Sequence, residues 1–174
     1  MRSPIALVPV LLASLASIAS AGPVAVRFAT FNVEDVRTAD LRDPSNPRLR
    51  QIAEVIQRLR PNVLLLNEIA YDMPGAPGCG ADHEPGQNAA LFVRNFLETP
   101  QHPDLRPITY RAFQARPNTG MPSGMDLDKD GEVVTSYDND LDAEDNQRFG
   151  NDAWGFGRFP GQYGMALLVD PRLD

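Results

Sequence analysis

Two polar residues stand directly after apolar runs, Asn32 after the segment from Val24 to Phe31 and Glu68 after Leu64-Leu65-Leu66-Asn67. In an open α/β sheet, ligands collect beyond the carboxyl ends of the strands, so an amide and a carboxylate placed there can converge on one site. The pair suits a hard cation such as Mg2+, which takes oxygen ligands and is often held by one or two carboxylates together with a substrate phosphate. The simpler alternative is a turn-capping Asn32 beside a solvated strand-end Glu68, and spacing alone leaves both open.

A second group of oxygen ligands lies in Asp126-Leu127-Asp128-Lys129-Asp130-Gly131-Glu132-Val133. Carboxylates at the first, third and fifth positions, glycine at the sixth and an apolar residue at the eighth match the start of a calcium loop of the EF-hand type. Tyr137 stands where that loop would carry its bidentate glutamate, which leaves Asp138, Asp140 or Asp142 to complete a shell. From Asp126 to Asp145 there are nine acidic residues and one basic, Lys129. Like charges at that density repel unless they are solvated, extended or bridged by an ion, so the alternatives are a Ca2+ site on Asp126, Asp128 and Asp130 or a solvated acidic loop.

Other groups point less far. Cys79 is a single cysteine, so no internal disulfide framework exists and a free thiol is expected. Asp82-His83-Glu84 offers metal-ligand types within a Gly/Pro-rich stretch, where exposure alone explains them equally well. Trp154-Gly155-Phe156-Gly157-Arg158-Phe159 interleaves aromatics with glycine, either to stack on a base or sugar or to pin a loop.

The elements that must position these residues follow from local pattern. Val24 to Phe31 is rich in β-branched and aromatic residues and predicts a strand. Asn46 is placed to cap a helix from Pro47 to Arg60, with Leu49, Ile52, Ala53, Ile56 and Leu59 at helical spacing. Val63 to Leu66 is a continuous apolar run, the pattern of a strand covered on both faces. Strand, helix and buried strand make an α/β opening. Asp72 to Gln87 predicts a loop, Asn88 the cap of a second helix carrying Leu91, Phe92, Phe96 and Leu97, and Pro100 to Pro107 a connector. Ile108 to Ala115 and Tyr163 to Val169 predict further strands. Between them, residues 116–161 form a long polar insertion with little periodicity, of a length that is functional, ion-stabilised or mobile.

Composition sets the bounds. The 174 residues, 43% hydrophobic and 22% charged, suit one domain. Sixteen Pro and 13 Gly favour a globule with many turns. The formal charge of −7 counts against nucleic-acid binding by overall charge. With the acidic segment and Arg2 set aside, however, the remainder is neutral. Residues 1–21 have a positive start at Arg2, an apolar run from Ile5 to Ile18 and small residues at Ala19-Ser20-Ala21. They predict a secretory signal peptide ahead of a domain at 22–174, with no membrane contact and a secreted or periplasmic location.

Phe28-Ala29-Thr30-Phe31-Asn32-Val33, Arg60-Pro61-Asn62-Val63-Leu64-Leu65-Leu66-Asn67-Glu68-Ile69 and Gly161-Gln162-Tyr163-Gly164-Met165-Ala166-Leu167-Leu168 resemble, in order and spacing, the endonuclease/exonuclease/phosphatase superfamily with its deoxyribonuclease I-like fold. The resemblance implies a four-layer α/β sandwich of the secreted bacterial type and hydrolysis of phosphoesters with Mg2+ or Mn2+. It also implies a phosphorylated substrate, nucleic acid or small phosphoester. Glu68 takes the metal-ligand role and Asn32 that of the active-site amide. The family's later Gly-Asp-Phe-Asn and Ser-Asp-His patterns do not occur in these 174 residues, and His83 and His102 stand in neither context. The expectation is therefore the N-terminal portion of such a domain, inactive on its own. A secreted, calcium-stabilised binding module on the same scaffold is the alternative.

Overall fold

The computed structural model describes residues 25–138 and 144–173. Residues 1–21, on which the expected signal peptide falls, lie outside the described residues, as do Asp140 and Asp142. No helix among the described residues is long and apolar enough to cross a membrane.

The first strand, β1, runs from Phe28 to Val36. It begins later than expected because its entry is set by the partner: the Arg27 carbonyl accepts from the amides of Asn62 and Val63 at 2.8 and 3.0 Å. It also continues past Asn32, through a bulge at Glu34 and Asp35, both of positive φ. A short helix, α1 (Thr38–Arg42), follows, then α2 (Pro47–Leu59). The α2 start is as expected, with the Asn46 side chain accepting from the Leu49 amide at 3.1 Å ahead of Pro47. Arg60 turns left-handed and ends the helix before Pro61.

The next strand, β2 (Val63–Ile69), pairs parallel to β1, the geometry that a helical crossover permits. Beyond it come α3 (Asn88–Phe92), continued by a π-helical turn at Val93–Leu97, then β3 (Arg111–Phe113), α4 (Glu144–Asn151) and β4 (Met165–Val169). The sheet is mixed, in the order β1-β2-β4-β3, with β4 antiparallel to both neighbours. The architecture is thus α/β with one four-stranded mixed sheet.

Three expectations are corrected. The β2 run is covered on one face only, because α2, α3 and the π-helical turn all pack on the same side. Leu64, Leu66, Ala166 and Leu168 meet Leu49, Ala53, Ile56, Phe92, Phe96 and Leu97 there. On the opposite face Phe28 is 76% exposed, and Leu65, Phe113 and Met165 are exposed too. Asn88 is not a cap: its amide donates to the Thr38 hydroxyl and the Ala70 carbonyl at 2.9 and 2.8 Å. The buried Asp72 carboxylate instead takes the amides of Gly86, Gln87 and Asn88 at 3.0, 2.9 and 3.2 Å. Finally, the strands expected at Ile108 to Ala115 and Tyr163 to Val169 are shorter, since pairing exists only over Arg111–Phe113 and Met165–Val169. Ile108 and Tyr110 are buried all the same, the Tyr110 hydroxyl donating to the Pro61 carbonyl at 2.7 Å.

Among its described residues the insertion is built on α4 and two isolated bridges, Thr119 to Gly155 and Pro122 to Ala153. It returns to the sheet at Gly161, whose positive φ and contact with the Tyr71 carbonyl leave no room for a side chain. There the Tyr71 amide donates to the Gly161 carbonyl at 2.8 Å, fixing the insertion to the end of β2.

Candidate functional site

Asn32 and Glu68 meet. Parallel pairing sets Asn32 beside Asn67, and Glu68 then leaves the strand geometry at φ 64, so its side chain does not follow the pleat. The Asn32 Nδ2 donates to Glu68 Oε1 at 2.6 Å. Its Oδ1 accepts from the Glu34 amide at 2.8 Å, which the bulge brings back toward it. The amide is therefore fixed at both ends, with one Nδ2 proton left for an acceptor such as a phosphate oxygen. Arg48 braces the bulge by donating to the Val33 and Glu34 carbonyls at 2.6 and 2.7 Å. Asn32 and Arg48 also border an open hollow of about 270 Å3 between β1 and α2.

A second layer of contacts comes from the far end of the chain. Gln162, fully buried, donates from Nε2 to both Asp35 oxygens at 3.0 and 3.1 Å and accepts the Arg158 amide at 2.7 Å. Asp35 is also held by Arg37 at 2.6 Å. Next to Gln162, Tyr163 lies within the field of the site. Burial above all pushes its phenol up, Asp35 adds to this, Arg158 and Arg37 oppose it, and Glu68 raises it further. The donor set fits a hard divalent ion at Glu68: one carboxylate oriented by an amide, open on its solvent side, in the style of a site completed by water and phosphate.

The acidic loop is also brought together, with one exchange of members. Oxygens of Asp126, Asp128 and Asp152 lie within 4.8 Å of one another. Asp126 accepts the amides of Asp130 and Gly131 at 3.1 and 3.0 Å, which curls the loop at Gly131. Asp130, expected in the shell, turns instead to Arg148 at 3.3 Å, and Arg148 also holds Glu132. Its place is taken by Asp152, just past α4 and 2% exposed. The amides of Val134 and then Leu127, each at 2.8 Å, hold the Asp152 carboxyl below the usual carboxylate range. Two carboxylates on a tight loop and a third brought over it from the end of α4 suit Ca2+, which takes six to eight oxygens. Nothing in the local sequence around Asp152 signals this role; it depends on α4 folding back over the loop.

The remaining candidates separate. His83 leaves Asp82 and Glu84 and contacts Asp72 at 2.5 Å, completing that carboxylate's partners. His102 lies at the surface beside Asp104. Cys79 is free and half-buried near the Thr38 hydroxyl, and burial pushes its thiol up. Trp154 and Phe156 are exposed, and the Phe156 ring stacks on Tyr163 with centroids 6.2 Å apart.

Comparison with family models, with curated proteins and with solved structures gives no match.

Proposed function

We propose that the protein is an exported, divalent-metal-dependent phosphoesterase of the endonuclease/exonuclease/phosphatase type, with Glu68 as metal ligand and Asn32 as the amide that orients it. The observation that carries this reading is the 2.6 Å contact between Asn32 Nδ2 and Glu68 Oε1 across two parallel strands, just ahead of the bulge in β1 and one residue before the end of β2. Bound at Glu68, Mg2+ or Mn2+ supplies charge neutralisation and polarisation of a phosphoryl oxygen. Asn32 donates its remaining proton to the phosphate, and the Asp35, Arg37 and Gln162 contacts hold the bulge that presents Asn32.

The uncovered sheet face supports the four-layer form of the fold. Pairing aligns Thr30, Leu65, Leu167 and Phe113 in one row and Phe28, Val63 and Val169 in another. A sheet apolar on both faces calls for a second layer on each. In this proposal the layer on the open face is a second sheet, and it brings the groups that activate the attacking water.

The Asp126, Asp128 and Asp152 cluster favours a calcium ion that stabilises the insertion. It equally suits the alternative of a secreted, calcium-stabilised binding module without catalysis. Mn2+ binding decides between them. The enzyme reading expects a Mn2+ site, seen by electron paramagnetic resonance, that is lost in Glu68→Ala and kept in Asp126→Ala. A chain whose Mn2+ binding is indifferent to Glu68 is the binding module.

A further inference from the structure

We propose that the hollow between the last turn of α2 and the connector ahead of β3 binds a small condensed oxyanion, free diphosphate, through Arg58, Arg60 and Arg106. Arg60 lies just before β2, whose far end carries Glu68, so a strand's length of about 15 Å separates this hollow from the proposed metal site. The hollow has a volume of about 390 Å3, within the range of small-ligand pockets. Its charged lining is three guanidinium groups against one carboxylate, Asp104, in a chain whose formal charge is −7. The excess of two positive charges matches an anion of two charges or more.

Arginines near a helix end are often accounted for by the carbonyls they cap. Arg60 does this, donating to the Arg106 and Pro107 carbonyls at 2.9 and 3.3 Å, and Arg27 does it at the Leu59 carbonyl at 3.1 Å. Arg58 gives Nε and one terminal nitrogen to Glu54 Oε1 at 3.0 and 2.6 Å. Arg106 differs: its guanidinium is exposed and has no partner among the described residues, so its full set of donors borders the hollow. The walls are fixed in advance. Gln57, 1% exposed, donates to the Leu97 and Thr99 carbonyls at 2.9 and 2.8 Å and accepts the Gln101 amide at 3.0 Å, which fastens the connector to α2. Arg58 and Arg60 stand on one wall and Arg106 on the other, and planar forks on two walls suit an anion with two charged phosphoryl groups. No aromatic side chain among the described residues borders the hollow, so nothing there would hold a base, and free diphosphate is favoured over a nucleotide.

Calorimetric titration with sodium pyrophosphate in the presence of a metal chelator tests this, because the chelator prevents binding through an ion at Glu68. Pyrophosphate is expected to bind more tightly than orthophosphate, and Arg106→Gln is expected to weaken it about tenfold. Since that side chain has no protein partner, the variant keeps the fold, which thermal melting checks. Arg94→Gln, at an exposed arginine of the π-helical turn outside the hollow, should leave the affinity unchanged, as should Glu68→Ala. Absence of saturable pyrophosphate binding overturns the proposal, and so does equal weakening by Arg106→Gln and Arg94→Gln, which would leave only overall charge at work. Orthophosphate binding as tightly as pyrophosphate, or adenosine diphosphate binding more tightly, overturns the assignment to free diphosphate. Loss of pyrophosphate binding in Glu68→Ala would return the anion to the proposed metal site and overturn the separate hollow.

Discussion

The Asn32 Nδ2 donates to Glu68 Oε1 across two neighbouring strands at 2.6 Å, while its own oxygen is occupied by the Glu34 amide. Asn32 is thus a positioning residue for the carboxylate, and the two substitutions separate. In the proposed reading Glu68→Ala removes the ligand and is expected to abolish Mn2+ binding at this site. Asn32→Ala leaves the ligand but frees its orientation, for which metal affinity is expected to fall about 10- to 100-fold. Because the pair is solvent-exposed, neither change should cost more than about 1 kcal/mol of stability. Titration of Mn2+ by electron paramagnetic resonance beside a urea melt reads both quantities, and equal affinities in wild type and Asn32→Ala would remove the positioning role.

In the acidic loop, calcium is expected to protect the segment between Met125 and Arg148 from proteolysis. Cleavage that is the same with calcium and with chelator refutes the site. The geometry sharpens the expectation by residue. Asp152→Asn should weaken calcium binding by about tenfold or more, since it removes a charged ligand of the cluster. Asp130→Asn should leave the affinity nearly unchanged, because Asp130 faces Arg148. Calorimetric titration of the two variants gives the comparison directly.

What could be seen in the sequence depended on how local the cause was. Helix α2 was legible because its cap, proline and apolar spacing all lie within 15 residues, and β2 because a four-residue apolar run needs no partner to be noticed. The meeting of Asn32 with Glu68 was foreseen from their placing after the apolar runs, but both lie inside their strands rather than beyond them, and it is the parallel register of β1 on β2 that joins them. The bulge at Glu34 and Asp35 was not legible. It is stabilised by Arg48 on α2 and by Gln162, which is 127 residues from Asp35 in sequence. Strand ends at β3 and β4 were misjudged for a related reason: Ile108, Tyr110 and Tyr163 have strand-like side chains, but pairing stops where a partner stops. Asp152 and Asp72 carry no motif, and each acquires its role from backbone amides of a distant segment.

Asp72 gives a prediction about stability. Its carboxylate, 1% exposed, satisfies three amides at the start of α3 and contacts His83. Asp72→Ala leaves those donors and the imidazole without their acceptor in a buried place, and is expected to cost about 3 kcal/mol. Asp72→Asn keeps an oxygen for the amides and should cost less. The urea midpoint of each variant measures this, and an Asp72→Ala chain as stable as wild type would show that water replaces the carboxylate there.

Asp170 gives a prediction about pH. It closes β4, where its amide donates to the Asn62 carbonyl at 2.8 Å and its carboxylate accepts from Asn62 Nδ2 at 3.1 Å. Arg172, first through its side chain and then through its backbone amide, holds the Asp170 carboxyl far below the usual carboxylate range, with Asn62 adding to this. A carboxyl whose folded value is depressed stabilises the fold most when it is ionised in both states, so the contribution is complete above the unfolded value of about 3.9. It is lost as the pH falls below that value toward the folded one. The difference in stability between wild type and Asp170→Asn should therefore be constant from neutral pH down to about pH 5 and shrink progressively below about pH 4. Urea melts of the two chains across that range test the sign: a difference that grows on acidification would mean that Arg172 does not act on the ionised carboxylate.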